Sequence, residues 1–507
     1  DPAQLEMLVR GLEQRAIRPF QNALPDKPWW LEVNNNWLTC IVGGLGVAGM
    51  ALDGLHPDAR GLVDFATPRL ERSLADYGPE GEFNEGIGYA GAIGLMTDYY
   101  TALLGWSDGR ENRLASAPFP QMARWFISMT VPPGHLFSFG DGKLNAPLKA
   151  DWMAAIAAAA QDSVLQDFAV RFRSVNADPV QLLCLDPDLQ PRSATGRLPL
   201  GRAYRAHGAC VSSRTSWDWD KTACVVGGKA RREDNHEHND PGQVVIYGEG
   251  RPLIVDWGTH GATYPAGFFT ENRFRYFDTQ AFGHNVLVFG GRDMASCYEL
   301  HPRFTQGALH GKRALHAQGR IVSAEFDDTW GGRWTIDTAP AWTGVKRNLR
   351  TVLHVHPGIV IVLDDAELEQ TETISLRWNT IQKPQLTADG AFVLELDDVS
   401  LAAQVISLDG QPVTHRLGNQ HYTAPWNQDQ FGIELPARDC PYVETLLTSD
   451  RCRLLALFAV QPGNRTTAWS RQKNTLSGLS GDTSIEIELS ADHVIVRSAS
   501  HHRTWQL

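Results

Sequence analysis

Near residue 190 the sequence changes its period, and no other feature constrains the fold as much. Before that point apolar residues recur at helical spacing. Leu5, Leu8, Val9, Leu12 and Ile17 mark one face of a helix over 3–24, and similar patterns cover 58–76, 89–104, 119–130, 148–161 and 163–174. Small residues dominate the stretch after Trp37 up to Leu55, as a closely packed, buried helix layer requires. The stretch 185–200 is rich in Pro, Asp and Arg and reads as a linker. Beyond it the pattern is alternating and β-branched, as in 223–227, 243–247, 253–256, 285–289, 320–326, 350–354, 359–363, 373–378, 392–396 and 483–497. Strands at that density with almost no helical pattern predict a large antiparallel β-sandwich. The expected division is a helical domain over 1–190 and a sandwich domain over 198–507, an α+β multidomain chain. A length of 507 residues exceeds one ordinary core and agrees with two or three domains.

Bulk properties exclude some functions. The net charge of −12 argues against general nucleic-acid binding. No run of 18 apolar residues is present, so no membrane span is expected. The seven cysteines are scattered without CxxC spacing and indicate neither a zinc knuckle nor a disulfide framework. The chain opens at Asp1 without a leader or an initiator methionine, which reads as a mature, trimmed or partial chain.

Chemistry-bearing residues concentrate in 231–285. His238, Asp256 and His284 follow one another at predicted strand ends, and imidazole–carboxylate–imidazole is a plausible three-ligand metal set. His236 stands two residues before His238. In extended backbone that spacing puts both on one face, so one can bind metal while the other faces a substrate. The competing reading makes these residues ordinary polar groups at strand ends. Lys229, Arg231, Arg232, Arg273 and Arg275 give the stretch local positive charge. In the helical half, Asn34, Asn35 and Asn36 lie beside Trp29, Trp30 and Trp37, and amides next to aromatic faces suit sugar recognition. Glu82 and Glu85 in a Gly-rich loop have the composition of a glycosidase pair.

Several motifs occur in a familiar order: Asn35-Asn36-Trp37, Glu85-Gly86-Ile87-Gly88-Tyr89, Phe139-Gly140-Asp141 and Arg214-Thr215-Ser216-Trp217. They continue with His236 to Gly242, Val255-Asp256-Trp257-Gly258, His284-Asn285 and Arg350-Thr351-Val352-Leu353. In this ordered set the chain resembles the heparinase II/III-like polysaccharide lyases, which include glycosaminoglycan and oligo-alginate lyases. The resemblance implies an N-terminal (α/α) toroid followed by an antiparallel β-sandwich. Only about thirty residues precede the asparagine loop, so the toroid is expected to be incomplete.

The resemblance also implies roles. Tyr89 and His236 become the acid–base residues, with Asn35 or Asn36 neutralising the substrate carboxylate. His238, Asp256 and His284 hold one structural divalent ion, zinc foremost, with Mn2+ or Ca2+ as alternatives. Trp37, Glu85, Arg232, Tyr264, Arg273 and Tyr276 are candidate substrate contacts. The implied partner is an anionic polysaccharide and the implied location is the periplasm or cell exterior. The implied reaction is β-elimination at a uronic acid of hyaluronan, chondroitin sulfate or heparin/heparan sulfate, with alginate as the alternative. A toroid glycoside hydrolase and a non-catalytic uronate-binding protein remain competing readings. The chain departs from the family pattern in Pro241 after Asp240, in Gln243 where Ser is common, and in an amide where some subfamilies carry His.

Overall fold

A computed structural model of the chain describes residues 1–107, 111–174, 179–231, 236–259, 264, 268–269, 271–295, 298–299, 313–314, 318–422, 431–434, 437–463, 469–472, 475–480, 483–490, 493–498 and 502–506. The described chain forms two compact units, one built from 1–128 and 147–193 and the other from 129–146, 194–299 and 313–507. Residues 129–146, expected as a loop between helices of the first domain, belong instead with the sheets.

The first unit is helical. Pro2–Leu12 opens it, capped by the Asp1 carboxylate accepting from the Ala3 amide, and the helical run continues through a π turn, Glu13–Ile17, to Ala23. Asn36–Leu38, the π turn Thr39–Gly43 and Gly44–Ala51 make a second continuous run. It packs on Ala59–Leu74 and Gly91–Trp106. Small residues permit this approach: a Cβ on Gly46 would lie 2.5 Å from the Tyr99 ring and 2.8 Å from the Ala66 methyl. Phe119–Ser128, Met153–Ala160 and Ser163–Arg171 follow, near the predicted positions.

Among the described residues, the second unit stacks three large antiparallel sheets and carries two short two-stranded ones. A five-stranded meander runs Gly201–Ala203, Cys210–Arg214, Cys224–Lys229, Gln243–Gly248, Arg251–Ile254. A ten-stranded sheet is centred on two long strands, Ile359–Asn379 and Arg438–Pro462. Five C-terminal strands from Ser470–Gln472 to His502–Gln506 form the third. Alternation along the central strands explains the layering. Val352, Val360, Val362, Ala456 and Phe458 join one core with Val226, Val244 and Ile246 of the meander. Leu353, Ile361, Leu363, Leu455 and Leu457 join a second core with Leu476, Ile487 and Val496 of the C-terminal sheet. A strand covered on both faces is apolar at every position, which accounts for the uninterrupted Ile359-Val360-Ile361-Val362-Leu363. The expected two-layer sandwich is therefore three layers deep. The predicted strands 359–363 and 373–378 are one strand, its pairing with Arg438–Pro462 shifting between Glu367 and Glu372.

One buried ion pair ties the sheets to the loops that carry the chemistry. Arg350 Nε and Nη2 donate to the two Asp364 carboxylate oxygens at 2.7 and 2.9 Å. Its Nη1 donates to the Gly242 carbonyl at 2.7 Å and also to the Asn285 carbonyl. Gly242 ends the segment holding His236 and His238, and Asn285 adjoins His284. Arg350→Met leaves Asp364 buried without its partner, and the expected cost is about 3–5 kcal/mol. A urea midpoint unchanged from wild type would show that the pair does not brace the sheets.

Candidate active site and metal centre

The chemistry-bearing residues of the second unit collect at one end of the meander. His236, His238 and Asp240 lie in the connection between Cys224–Lys229 and Gln243–Gly248. Asp256 follows the strand Arg251–Ile254, and His284 precedes Leu287–Phe289. Asp141 arrives on the loop after His135–Leu136. That loop is pressed against the histidine segment: the Asp141 amide donates to the His236 carbonyl at 2.9 Å. Gly140 has φ +60°, and a Cβ there would lie 2.7 Å from the His236 carbonyl oxygen, so only glycine fits.

Asp141 is the hub. Its Oδ2 lies 2.7 Å from His236 Nδ1 and its Oδ1 lies 2.9 Å from His238 Nε2. Arg273 Nη2 donates to Oδ1 at 2.7 Å, and Thr259 Oγ1 donates to it at 3.3 Å. Burial opposes the Asp141 charge, yet the Arg273 guanidinium and the two imidazoles prevail and hold its carboxyl well below the usual carboxylate range. His236 is buried, edge-on to Phe269 at 5.4 Å, and the Tyr264 hydroxyl lies 3.5 Å from its Nδ1.

The metal test rests on the donors themselves. Asp240, Asp256 and His284 bring one ligand atom each to within 4.8 Å of one another, all buried. His238 stands beside them, its ring centroid 5.4 Å from that of His284. Among the described residues, His238 Nδ1 and His284 Nε2 are buried nitrogens without a hydrogen-bond partner, a costly arrangement for imidazole unless something binds there. The donor set of two imidazoles and carboxylates fits a divalent ion such as zinc. Burial disfavours charge on Asp256 and His284, but each stabilises the other: Asp256 is held low, and His284 is raised by that carboxylate. Gln243, the position where Ser is common, orders the carboxylate: its Nε2 donates to Asp256 Oδ2 at 3.0 Å, and its Oε1 accepts from the Asn285 amide at 2.8 Å. Asn285 in turn donates to the Val244 and Val255 carbonyls, stitching the loop ends together.

Asp240 is the residue the sequence reading missed. The i, i+2 rule that groups His236 with His238 extends to it directly. Both its oxygens lie 2.9 Å from Lys229 Nζ, which also contacts Glu237. Burial works against the Lys229 charge, but Asp240 and Glu237 override it and raise its pKa. Lys229 therefore belongs to a buried ion cluster and not to a basic surface.

Three of the expected substrate contacts are buried. Arg273 is fully buried, bonded to Asp141 and the Glu237 carbonyl, with its guanidinium over the Phe268 ring at 4.4 Å. Tyr276 is buried against Phe268 and packs in an apolar cluster with Trp257 and Phe277. Glu85 is buried in the helical unit, where it accepts from the Asn36 amide at 2.6 Å and from Asn36 Nδ2 at 3.3 Å. Glu82 is also buried and accepts from the Glu80 amide, so the two glutamates brace loops and do not form an accessible glycosidase pair. Arg232 lies outside the described residues.

Of the other candidates in the helical unit, Asn35 is buried, whereas Trp37 and Tyr89 keep part of their surface exposed. Asn35 caps its helix through Oδ1, accepting from the Trp37 amide at 3.0 Å, and its buried Nδ2 has no hydrogen-bond partner among the described residues. Trp37 is 39% exposed and meets Trp29 edge-on at 5.1 Å. Tyr89 is half-buried in the single turn Ile87–Tyr89 that precedes Gly91–Trp106.

Residues 223–441 match the family model described as Heparinase II/III-like, C-terminal. Among solved structures, the chain is similar to a mutant heparan sulfate lyase HepC from Pedobacter heparinus. The two are 14% identical with a TM-score of 0.63, over 93% of this chain and 68% of that one. The heparan sulfate lyase HepC from the same organism matches at 13% identity and TM-score 0.63, over 92% of this chain and 65% of that one. A heparinase III matches at 12% identity and TM-score 0.63, over 93% and 66%. The chain thus spans about two thirds of the length of these structures. No curated protein matches the sequence. Among the described residues, no helix is long and apolar enough to cross a membrane.

Proposed function

We propose that this chain, whose residues 223–441 form a heparinase II/III-like C-terminal domain, is a polysaccharide lyase that cleaves uronic-acid-containing glycosaminoglycans by β-elimination. One observation carries the reading. The matched segment holds His236, His238, Asp240, Asp256 and His284, and the fold gathers them around a single carboxylate and a buried donor set. The similarity to a heparan sulfate lyase supports the substrate class.

Elimination removes the proton at C5, whose electrons form the C4–C5 double bond as the C4–O4 bond breaks, and the released O4 takes up a proton. The C5 proton is weakly acidic because the adjacent carboxylate is already charged, so catalysis needs a donor that stabilises the enediolate. Asn35 is the better candidate of the two amides: its Nδ2 is uncommitted, whereas Asn36 Nδ2 is turned to Glu85. Tyr89 takes the C5 proton and returns one to O4. His236 takes it when the C5 epimer presents that proton from the opposite face. Trp37 offers a face for a sugar ring, and Tyr264 lies beside His236. His238, Asp256 and His284, with Asp240 in the same donor set as the last two, would hold a divalent ion, which would supply fixed charge to order the three loops.

Ultraviolet absorbance with hyaluronan, chondroitin sulfate, heparan sulfate and alginate separately tests the reading. The unsaturated-uronate band should grow with at least one glycosaminoglycan and more slowly with alginate. Growth with alginate alone would transfer the chain to the alginate-cleaving branch. New reducing ends without that band would reject elimination.

A further inference from the structure

The Phe139-Gly140-Asp141 motif stands out in the sequence, yet the reaction described above gives it no task. We propose that Asp141 is a positioning residue that sets the tautomers of two imidazoles at once, His236 for proton transfer and His238 for metal binding. The proposal rests on the lyase reading for its catalytic half and on geometry alone for its tautomer half.

An ionised carboxylate only accepts hydrogen bonds. With Asp141 Oδ2 at 2.7 Å, neutral His236 must place its proton on Nδ1, which leaves a lone pair on Nε2. With Oδ1 at 2.9 Å, His238 must place its proton on Nε2, which leaves a lone pair on Nδ1, the buried nitrogen without a hydrogen-bond partner beside His284. One side chain therefore dictates opposite tautomers in residues two apart. The hub is rigid: its amide is bonded to the His236 carbonyl, Arg273 and Thr259 fix Oδ1, and the glycine before it allows the close approach.

The two oxygens differ in a way that makes the effect of one substitution directional. Oδ1 faces three donors, from His238, Arg273 and Thr259, whereas the short bond at Oδ2 is to His236. In Asp141→Asn the amide oxygen therefore takes the Oδ1 position and the NH2 group takes the Oδ2 position. An NH2 donor facing His236 Nδ1 forces that nitrogen to accept, and the His236 proton moves to Nε2. His238 keeps its tautomer.

The experiment uses the full chain labelled with 15N in histidine, with His236 and His238 resonances assigned through His236→Ala and His238→Ala. Wild type should show His236 protonated on Nδ1 and His238 on Nε2. Asp141→Asn should convert His236 alone and retain zinc against a chelator within about threefold of wild type. On the uronate polymer whose cleavage His236→Ala abolishes, its kcat should fall at least about a hundredfold with little change in KM, as loss of a tautomer-fixing carboxylate does elsewhere. If His236 keeps its Nδ1 proton in Asp141→Asn, or if His238 changes instead and zinc is lost, the proposal is overturned. If the tautomers change as expected while no uronate polymer is cleaved even by wild type, the positioning stands and the lyase reading falls.

Discussion

Tyr89→Phe lowers kcat by about 10²–10⁴-fold, the contribution of a positioned proton-transfer group, while the protein stays folded. The side chain is half-buried in a single turn at the start of Gly91–Trp106, so phenylalanine keeps the ring packing and removes only the hydroxyl. The stability change should stay within about 1 kcal/mol, the net worth of one hydrogen bond. Binding of a uronate oligosaccharide should persist, because the base acts on a proton and does not anchor the sugar. Initial rates and a thermal melt on the same preparation separate the two effects. A rate within threefold of wild type would remove Tyr89 from the reaction, and a collapsed melt would assign it to packing.

His284→Ala is expected to abolish zinc binding and to destabilise the sheet unit. The substitution removes one donor from a buried cluster whose remaining members, Asp240 and Asp256, are both carboxylates. Asp240 keeps its Lys229 partner, but Asp256 loses the imidazole that stabilises its buried charge, which is unfavourable. Wild type is expected to carry about one zinc per chain, as a single three- or four-donor site holds, and the variant close to none. At a thousandfold excess over the dissociation constant the ion stabilises the fold by about 4 kcal/mol. The variant's melting temperature should therefore fall and stop responding to added zinc. Zinc content equal to wild type, with an unchanged melt, would place the ion elsewhere or nowhere.

The sequence made the two-part organisation plain because helical and alternating periods cannot be confused over such lengths. His236, His238, Asp256 and His284 stand out as ligand-type residues against apolar strands, and the fold brings Asp256 and His284 together with Asp240 in one buried donor set. The third sheet layer was written in Ile359–Leu363 and 454–460, where the alternation disappears because both faces are covered. What the sequence does not carry is the direction a side chain takes. Arg273 and Lys229 read as a basic surface, yet each is drawn inward by carboxylates from distant segments, Asp141 for one and Asp240 with Glu237 for the other. Glu85 reads as a surface acid of a Gly-rich loop and instead clasps the asparagine loop from 49 positions away. Asp141 sits about a hundred residues from the histidines it orders, a pairing that only the folded sheet unit brings about.

Cleavage in 18O-labelled water tests the central claim most directly, with glycosaminoglycan products read by mass spectrometry. Elimination adds no water, so each new non-reducing end is one water lighter than a hydrolysed end and neither new end carries the label. A lyase gives unsaturated, unlabelled ends, and these should disappear in Tyr89→Phe. Saturated ends with 18O incorporated at the cut would contradict the claim and identify a hydrolase built on the same fold.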